Sequence, residues 1–199
     1  MIHLEMETGA HVAPREVLLD ACFGPGRFAR TCELIRRGRV PADGLAFAAM
    51  DGDRLIGTVR LWHIDAGTAG PALLLGPLGV EPSRQGEGIG SILMRHALAE
   101  AARLGHRAVL LVGDAPYYDR FGFSDRFTGA LTMPGPVERA RFLGHELMPG
   151  ALIGARGAVV PTGLPEIAPL TVAVPGTVAP MPVAASDMAI WPEVSAVAA

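Results

Sequence analysis

The chain has 199 residues, half of them hydrophobic and 19% charged, with a formal net charge of −3. That length suits one domain, or one domain with an appendage, and supports a core that needs no disulfide or metal staple. The slightly acidic balance lacks the electrostatic footprint of a phosphate-backbone binder, so nucleic acid is not an expected partner.

Residues 14–37 carry a helical pattern, with Pro14 placed for a first turn and Val17, Leu18 and Ala21 as an apolar stripe. Gly24-Pro25-Gly26 breaks it, and a second helix follows with Phe28, Cys32 and Ile35 at helical spacing and Gly38 as its stop. Arg36, Arg37 and Arg39 crowd that end. They suit either the negative pole of a helix dipole or a wall for an anionic ligand.

The period then changes. Residues 45–50 predict a strand, Asp51-Gly52-Asp53 a hairpin turn, and residues 55–64 a longer strand. A third strand at 72–80 is interrupted by Gly76-Pro77, which reads as a bulge because proline is otherwise excluded from a central strand. Residues 90–104 predict the longest helix, with Ile92, Leu93, Ala97, Ala101 and Leu104 on one face and Gly105 ending it. A buried strand at 108–112, a short helix at 116–121 and a strand region from Phe123 to Met148 complete the pattern. Residues 160–199 hold seven of the 17 prolines and only three charges, Glu166, Asp187 and Glu193. That composition precludes long helices and is too apolar for a solvated tail, so extended segments covering the domain or a partner subunit are expected. Its apolar strip at 170–174 and Ile190-Trp191 suit an edge-strand cover or a homodimer interface.

Several chemistries are excluded or disfavoured. All 17 basic residues are arginine, so Schiff-base chemistry and a phosphate loop of the G-x-x-x-x-G-K-[ST] type, which need lysine, are ruled out. Cys22 and Cys32 stand ten apart with no second pair and no histidine at ligand spacing, which is neither a metal site nor a disulfide framework. Met1-Ile2-His3-Leu4-Glu5 has an early acid and lacks the apolar run of a signal peptide. No uninterrupted apolar stretch reaches the roughly 18 residues needed to span a bilayer. A cytoplasmic protein with no membrane contact is expected.

The segment that carries chemistry runs strand, glycine-rich loop, helix start: Leu75-Gly76-Pro77-Leu78-Gly79-Val80-Glu81-Pro82-Ser83-Arg84-Gln85-Gly86-Glu87-Gly88-Ile89-Gly90-Ser91. Such a junction aims unpaired N–H groups and a helix dipole at one place, and its glycines let a phosphate approach the backbone. The spacing Gly86-x-Gly88-x-Gly90 does not fit the dinucleotide pattern G-x-G-x-x-G. By spacing alone it says phosphates and no more.

Gln85-x-x-Gly88-x-Gly90, preceded by Val80-x-Pro82, resembles the Q/R-x-x-G-x-G/A signature of the GNAT acyltransferases. Tyr118-Asp119-Arg120-Phe121-Gly122-Phe123 resembles the Y-x-x-x-G-F element of the same family. The segments Ala21-Cys22-Phe23-Gly24-Pro25, Gly57-Thr58-Val59-Arg60-Leu61-Trp62 and Gly113-Asp114-Ala115-Pro116-Tyr117-Tyr118 look like its bacterial YhbS-type branch, and the likeness covers about residues 1–155. It implies an α/β fold, a mixed and mostly antiparallel sheet of six or seven strands flanked by about four helices, as a domain over 1–155 with an irregular Pro-rich extension over 156–199.

The resemblance further implies acetyl-CoA as donor, CoA as product, and a small-molecule or peptide amine as acceptor. Backbone groups of Leu78 and Val80 would pair with pantetheine as an added strand, with Gly79 between them. The amides of Gln85, Gly86, Glu87, Gly88, Ile89, Gly90 and Ser91 would hold the pyrophosphate, and Asp114, Tyr117, Tyr118 and Phe121 would complete the cofactor contacts. The Val80 amide matches the polariser of the thioester carbonyl and Tyr118 the general acid, with Tyr117 as its competitor. A base is not fixed: Glu33, His63, Glu81 and Asp114 are candidates, with Glu81 at the strand end. A non-catalytic acyl-CoA-binding module is the alternative reading.

Overall fold

Residues 1–166 are the part of the chain that the computed structural model describes. In chain order they form β1 (Ile2–Met6), α1 (Val12–Phe23), α2 (Thr31–Arg36), β2 (Ala46–Asp51), β3 (Arg54–Ala66) and β4 (Pro71–Val80). There follow α3 (Ile89–Arg103), β5 (Ala108–Val112), α4 (Ala115–Tyr118), β6 (Ala130–Thr132), β7 (Phe142–Glu146) and β8 (Arg156–Pro161). The strands join in the order β1-β2-β3-β4-β5-β7, with β8 on β3 and β6 on β8. Only β4–β5 and β6–β8 are parallel, so among the described residues the sheet is mixed and mostly antiparallel, with four α-helices. The parallel β4–β5 pair requires a crossover, and α3 supplies it.

The sheet holds eight strands rather than six or seven. One extra is β1, an edge strand in which Leu4 packs toward the core while His3 and Glu5 alternate with the apolar side chains. The other is β8. The expected domain end at residue 155 falls just before it, yet Val159 is buried and sits opposite Ala66 of β3, so the compact unit runs Met1–Glu166. The strip at 170–174, Ile190-Trp191 and the homodimer contact expected there lie outside the described residues. Between Phe123 and Met148 the expected strand region is broken into β6, β7 and short 3-10 turns, because Pro134 and Pro136 cannot donate to a ladder. No helix among the described residues is long and apolar enough to cross a membrane.

The helices keep their expected places but rotate. In α3 the buried residues include Ile89, Leu93, Ala97 and Ala101, a strict i, i+4 row. Ile92 and Leu104, expected inside, are exposed, because the 89/93/97/101 row is the one packed on the sheet. In α1, Arg15, Leu18 and Leu19 are buried while Val17 and Ala21 face outward. The cause is an arginine on the inner face. Arg15 donates to Glu7 at 3.0 Å and to Glu16 at 2.8 Å, and Glu7 also accepts from the Thr58 hydroxyl at 2.5 Å. Arg60 of β3 lies 3.0 Å from the same Glu7 carboxylate. The Glu7 side chain is 5% exposed, so one buried carboxylate is shared between guanidinium groups from a helix and a strand.

Removing one member of a buried ion pair typically costs about 3–5 kcal/mol, because the remaining charge is stranded. Glu7→Ala should therefore lower the unfolding free energy by about that amount in urea titration at neutral pH; a loss below about 1 kcal/mol, the range of surface pairs, would contradict a structural role for this network.

Candidate active site

The site begins at the bulge. Val59 of β3 pairs with Leu78 and Leu61 with Leu75, which leaves Gly76 and Pro77 together opposite Arg60. The Gly76–Pro77 peptide is cis. The buried Trp62 indole N–H donates to the Gly76 carbonyl at 2.6 Å and fixes the kink. β5 pairs with β4 only at Leu73↔Val109 and Leu74↔Leu110, before the bulge. Beyond it, the two strands part.

The ladder phase decides which backbone groups face that opening. The Glu81 N–H bonds the Ile56 carbonyl at 2.9 Å, and Gly79 lies opposite Thr58. In an antiparallel pair, alternate residues turn toward the neighbour, so Gly79 and Glu81 face β3 while Leu78 and Val80 face away from it. The Val80 carbonyl accordingly accepts from the Cys22 thiol at 3.2 Å and the Gln85 side-chain amide at 3.3 Å. Gly79 fits where it does because α1 crosses close by: a Cβ there would lie 3.1 Å from Leu19. Burial pushes the Cys22 thiol up from its ordinary value, so it serves as a donor to Val80 rather than as a thiolate.

β4 runs directly into the glycine-rich loop. Gly88 caps α3 with φ 83°, a left-handed conformation that side-chain-bearing residues rarely adopt. The N–H groups of Ser91 and Ile92 turn back to the Gly88 carbonyl, both at 3.0 Å. Those of Gly86, Glu87, Gly88, Ile89 and Gly90 find no acceptor among the described residues. They form an anion cradle at the positive end of a fifteen-residue helix. Arg84 steadies the loop from outside through Glu87 at 2.8 Å and Asp51 at 3.0 Å.

The tyrosines close the junction. Tyr117 and Tyr118 stand edge to face with ring centroids 4.9 Å apart. A Cβ on Gly90 would lie 2.7 Å from the Tyr117 hydroxyl, so Tyr117 sits at the mouth of the cradle. The Tyr118 ring lies across Gly113, where a Cβ would come within 2.2 Å of it. Burial, reinforced by Tyr117 and Asp114, pushes the Tyr118 hydroxyl well above the usual tyrosine range. Phe121 is buried beneath Tyr117, its ring 5.6 Å away, and belongs to the core.

The base candidates separate in space. Glu33 and Asp114 line a cleft of about 860 Å³ together with Leu78, Gly76, Tyr117 and Tyr118. Glu33 is held by Arg36 at 3.2 Å and Asp114 by Arg141 at 3.1 Å. Glu81 lies off that lining, paired with Arg54. His63 belongs to a different cavity and stacks 5.4 Å from His106. Trp62, Cys22 and Gly113 escaped sequence reasoning because each looks like ordinary strand, helix or loop text. Their contacts with the bulge, Val80 and Tyr118 exist only once distant segments meet.

Residues 16–123 match the acetyltransferase (GNAT) family. The uncharacterized N-acetyltransferase YhbS of Escherichia coli K12 is 32% identical over 85 residues, covering 43% of this chain. The match takes in 51% of that protein, so the chain spans about half the length of the curated relatives it matches. The crystal structure of E. coli YhbS in complex with CoA superposes with a TM-score of 0.69 at 25% identity, over 81% of this chain and 89% of that one. A GNAT family acetyltransferase from Brucella melitensis, crystallised with acetyl-CoA, gives 0.54 at 26% identity over 73% and 96%. The match extends over more than half of the sequence, and the chain belongs to the GNAT acetyltransferase family.

Proposed function

We propose that the chain transfers an acetyl group from acetyl-CoA to an amine. The observation that carries this reading is the continuity of two runs of outward backbone N–H groups, the Val80 carbonyl being taken by Cys22 and Gln85. The outward groups of Leu78 and Val80 lead straight into the N–H cradle from Gly86 to Gly90. An elongated ligand with amides in its middle and a diphosphate at one end matches both, which is the fit that acetyl-CoA requires.

In the reaction the amine nitrogen bonds to the acetyl carbon, the carbon–sulfur bond breaks, the nitrogen loses a proton and the thiolate gains one. The Val80 N–H is the donor available to polarise the thioester carbonyl. The Tyr118 hydroxyl is the donor available to the sulfur; its raised pKa keeps it protonated throughout the neutral range. Tyr117, at the mouth of the cradle, is placed to border the phosphates instead. Glu33 and Asp114 are the candidate bases that line the cleft, and each is ion-paired. An α-amine near pKa 7.7–8 costs only about 1–1.4 kcal/mol to deprotonate at pH 7 and could lose its proton to water, whereas a lysine-like amine costs roughly 4–5.

Three outcomes follow. Gly88→Val places a branched side chain at positive φ, a penalty of about 1–2 kcal/mol before any clash with phosphate, so acetyl-CoA affinity measured by calorimetry should fall about tenfold or more; unchanged affinity would remove the cradle from the account. Tyr118→Phe should lower kcat by about 10²–10⁴, the usual contribution of a positioned acid, while the acetyl-CoA Kd stays within about threefold. Full turnover in that variant would pass the role to Tyr117. The pH profile of kcat/KM should rise with amine deprotonation and show no descending limb below about pH 10, because the Tyr118 pKa is raised rather than lowered. A descending limb at pH 8–9 that vanishes in Tyr118→Phe would contradict the assignment.

A further inference from the structure

The cleft beside the β4–β5 opening is strongly basic. Eight arginines line it against five carboxylates. Because the chain has no lysine, every one of these cations is a planar guanidinium, whose fork matches a carboxylate or a phosphate.

Some of these arginines are committed to the fold. Arg15 and Arg27 are held by Glu7, Glu16 and Asp20, and Arg141 by Asp114. Others are not. Arg36 spends one terminal nitrogen on Glu33 at 3.2 Å, while its Nε is buried with no acceptor. Its other terminal nitrogen stands 3.5 Å from where a Gly76 Cβ would be, at the bulge itself. Arg60, opposite the bulge, lies 4.9 Å over the Trp62 ring. Its Nε is also buried without a hydrogen-bond acceptor, since Glu7 at 3.0 Å is off the line of the N–H. Among the described residues, Arg30, Arg37 and Arg39 have no carboxylate within ion-pair distance, and Arg37 and Arg39 donate to the carbonyls of Phe28 and Gly163. A dipole effect does not account for this. Helix α2 has only six residues, and dipole stabilisation asks neither for a buried Nε without an acceptor nor for a terminal nitrogen beside Gly76 of β4.

We infer that the acceptor amine also carries an oxyanion, a carboxylate or a phosphate, and that Arg36 is the residue that receives it. This rests on the acetyl-transfer reading above. Buried guanidinium donors left without acceptors call for a partner that the described residues do not supply. A neutral amine would leave them orphaned, and a polyamine would be repelled. The cleft thereby selects acceptors by the charge at the end remote from the reacting nitrogen.

The test uses the full chain saturated with CoA and matched probes: ε-aminocaproate and triglycine against their C-terminal amides, and phosphoethanolamine against ethanolamine. Binding is read by calorimetry, and turnover with acetyl-CoA by thiol release. In at least one arm, the acidic member should bind and react about tenfold or more better than its neutral partner; the arm that does so names carboxylate or phosphate. Arg36→Gln should erase that preference and Arg36→Lys restore it only in part, with acetyl-CoA affinity unchanged in both as the control for folding. Equal treatment of both members in every arm, or a preference that survives Arg36→Gln, in protein that binds acetyl-CoA overturns the inference. Failure to bind acetyl-CoA overturns the underlying reading instead.

Discussion

A strand cannot pair on both edges and also leave backbone groups for a ligand, and the bulge at Gly76-Pro77 is where this chain settles that conflict. Up to Leu75, β4 is an interior strand, bonded to β3 on one side and β5 on the other. Two residues then oppose one, the Trp62 indole ties down the Gly76 carbonyl, and pairing with β5 ends. Past that point β4 keeps β3 and loses β5. The same kink brings Gly79 under α1, directs Val80 toward Cys22 and delivers the chain to the loop that caps α3. Without the bulge there would be a closed sheet and no opening to line.

The buried charge around the opening belongs to the same arrangement. Glu7, at the end of β1, holds Arg15 of α1 and approaches Arg60 of β3, so the first strand and first helix are tied to the strand that faces the bulge. Burial lowers the pKa of Arg60 against the pull of Glu7, the sign of a guanidinium kept from water with an incomplete set of partners. Core stability and the charge of the cleft are therefore coupled through one carboxylate.

Much of this was legible in the sequence wherever a local rule operated alone. The Asp51-Gly52-Asp53 turn, the bulge signalled by a proline inside an apolar strand, the β5 segment and the loop before α3 are all local patterns, and the structure carries each of them. The misses have a common cause, which is tertiary override. β1 and β8 are short and read weakly until a neighbour supplies the other half of the ladder. The phase of α1 departs from the Val17-Leu18-Ala21 stripe because Arg15, on its inner face, is paired with Glu7 from another element. Within the site, the loop and the tyrosines were visible as motifs, whereas the arginine-lined cleft assembles from α1, α2, β3 and the segment before β7. The cluster of Arg36, Arg37 and Arg39 was noticeable in sequence but ambiguous, since a helix end and an anion wall use the same residues. Arg36 separates them: its Nε is buried without an acceptor, and one of its terminal nitrogens reaches the bulge at Gly76.

In the proposed function, the outward groups of Leu78 and Val80 would receive the cofactor as an added strand while Gly79 remains bonded to β3. Residue-resolved amide hydrogen exchange with and without CoA tests it directly. CoA should slow exchange at Leu78 and Val80 and through the Gly86 to Gly90 cradle, while Gly79, already protected by Thr58 of β3, changes little. Exchange at Leu78 and Val80 that is indifferent to saturating CoA would contradict it.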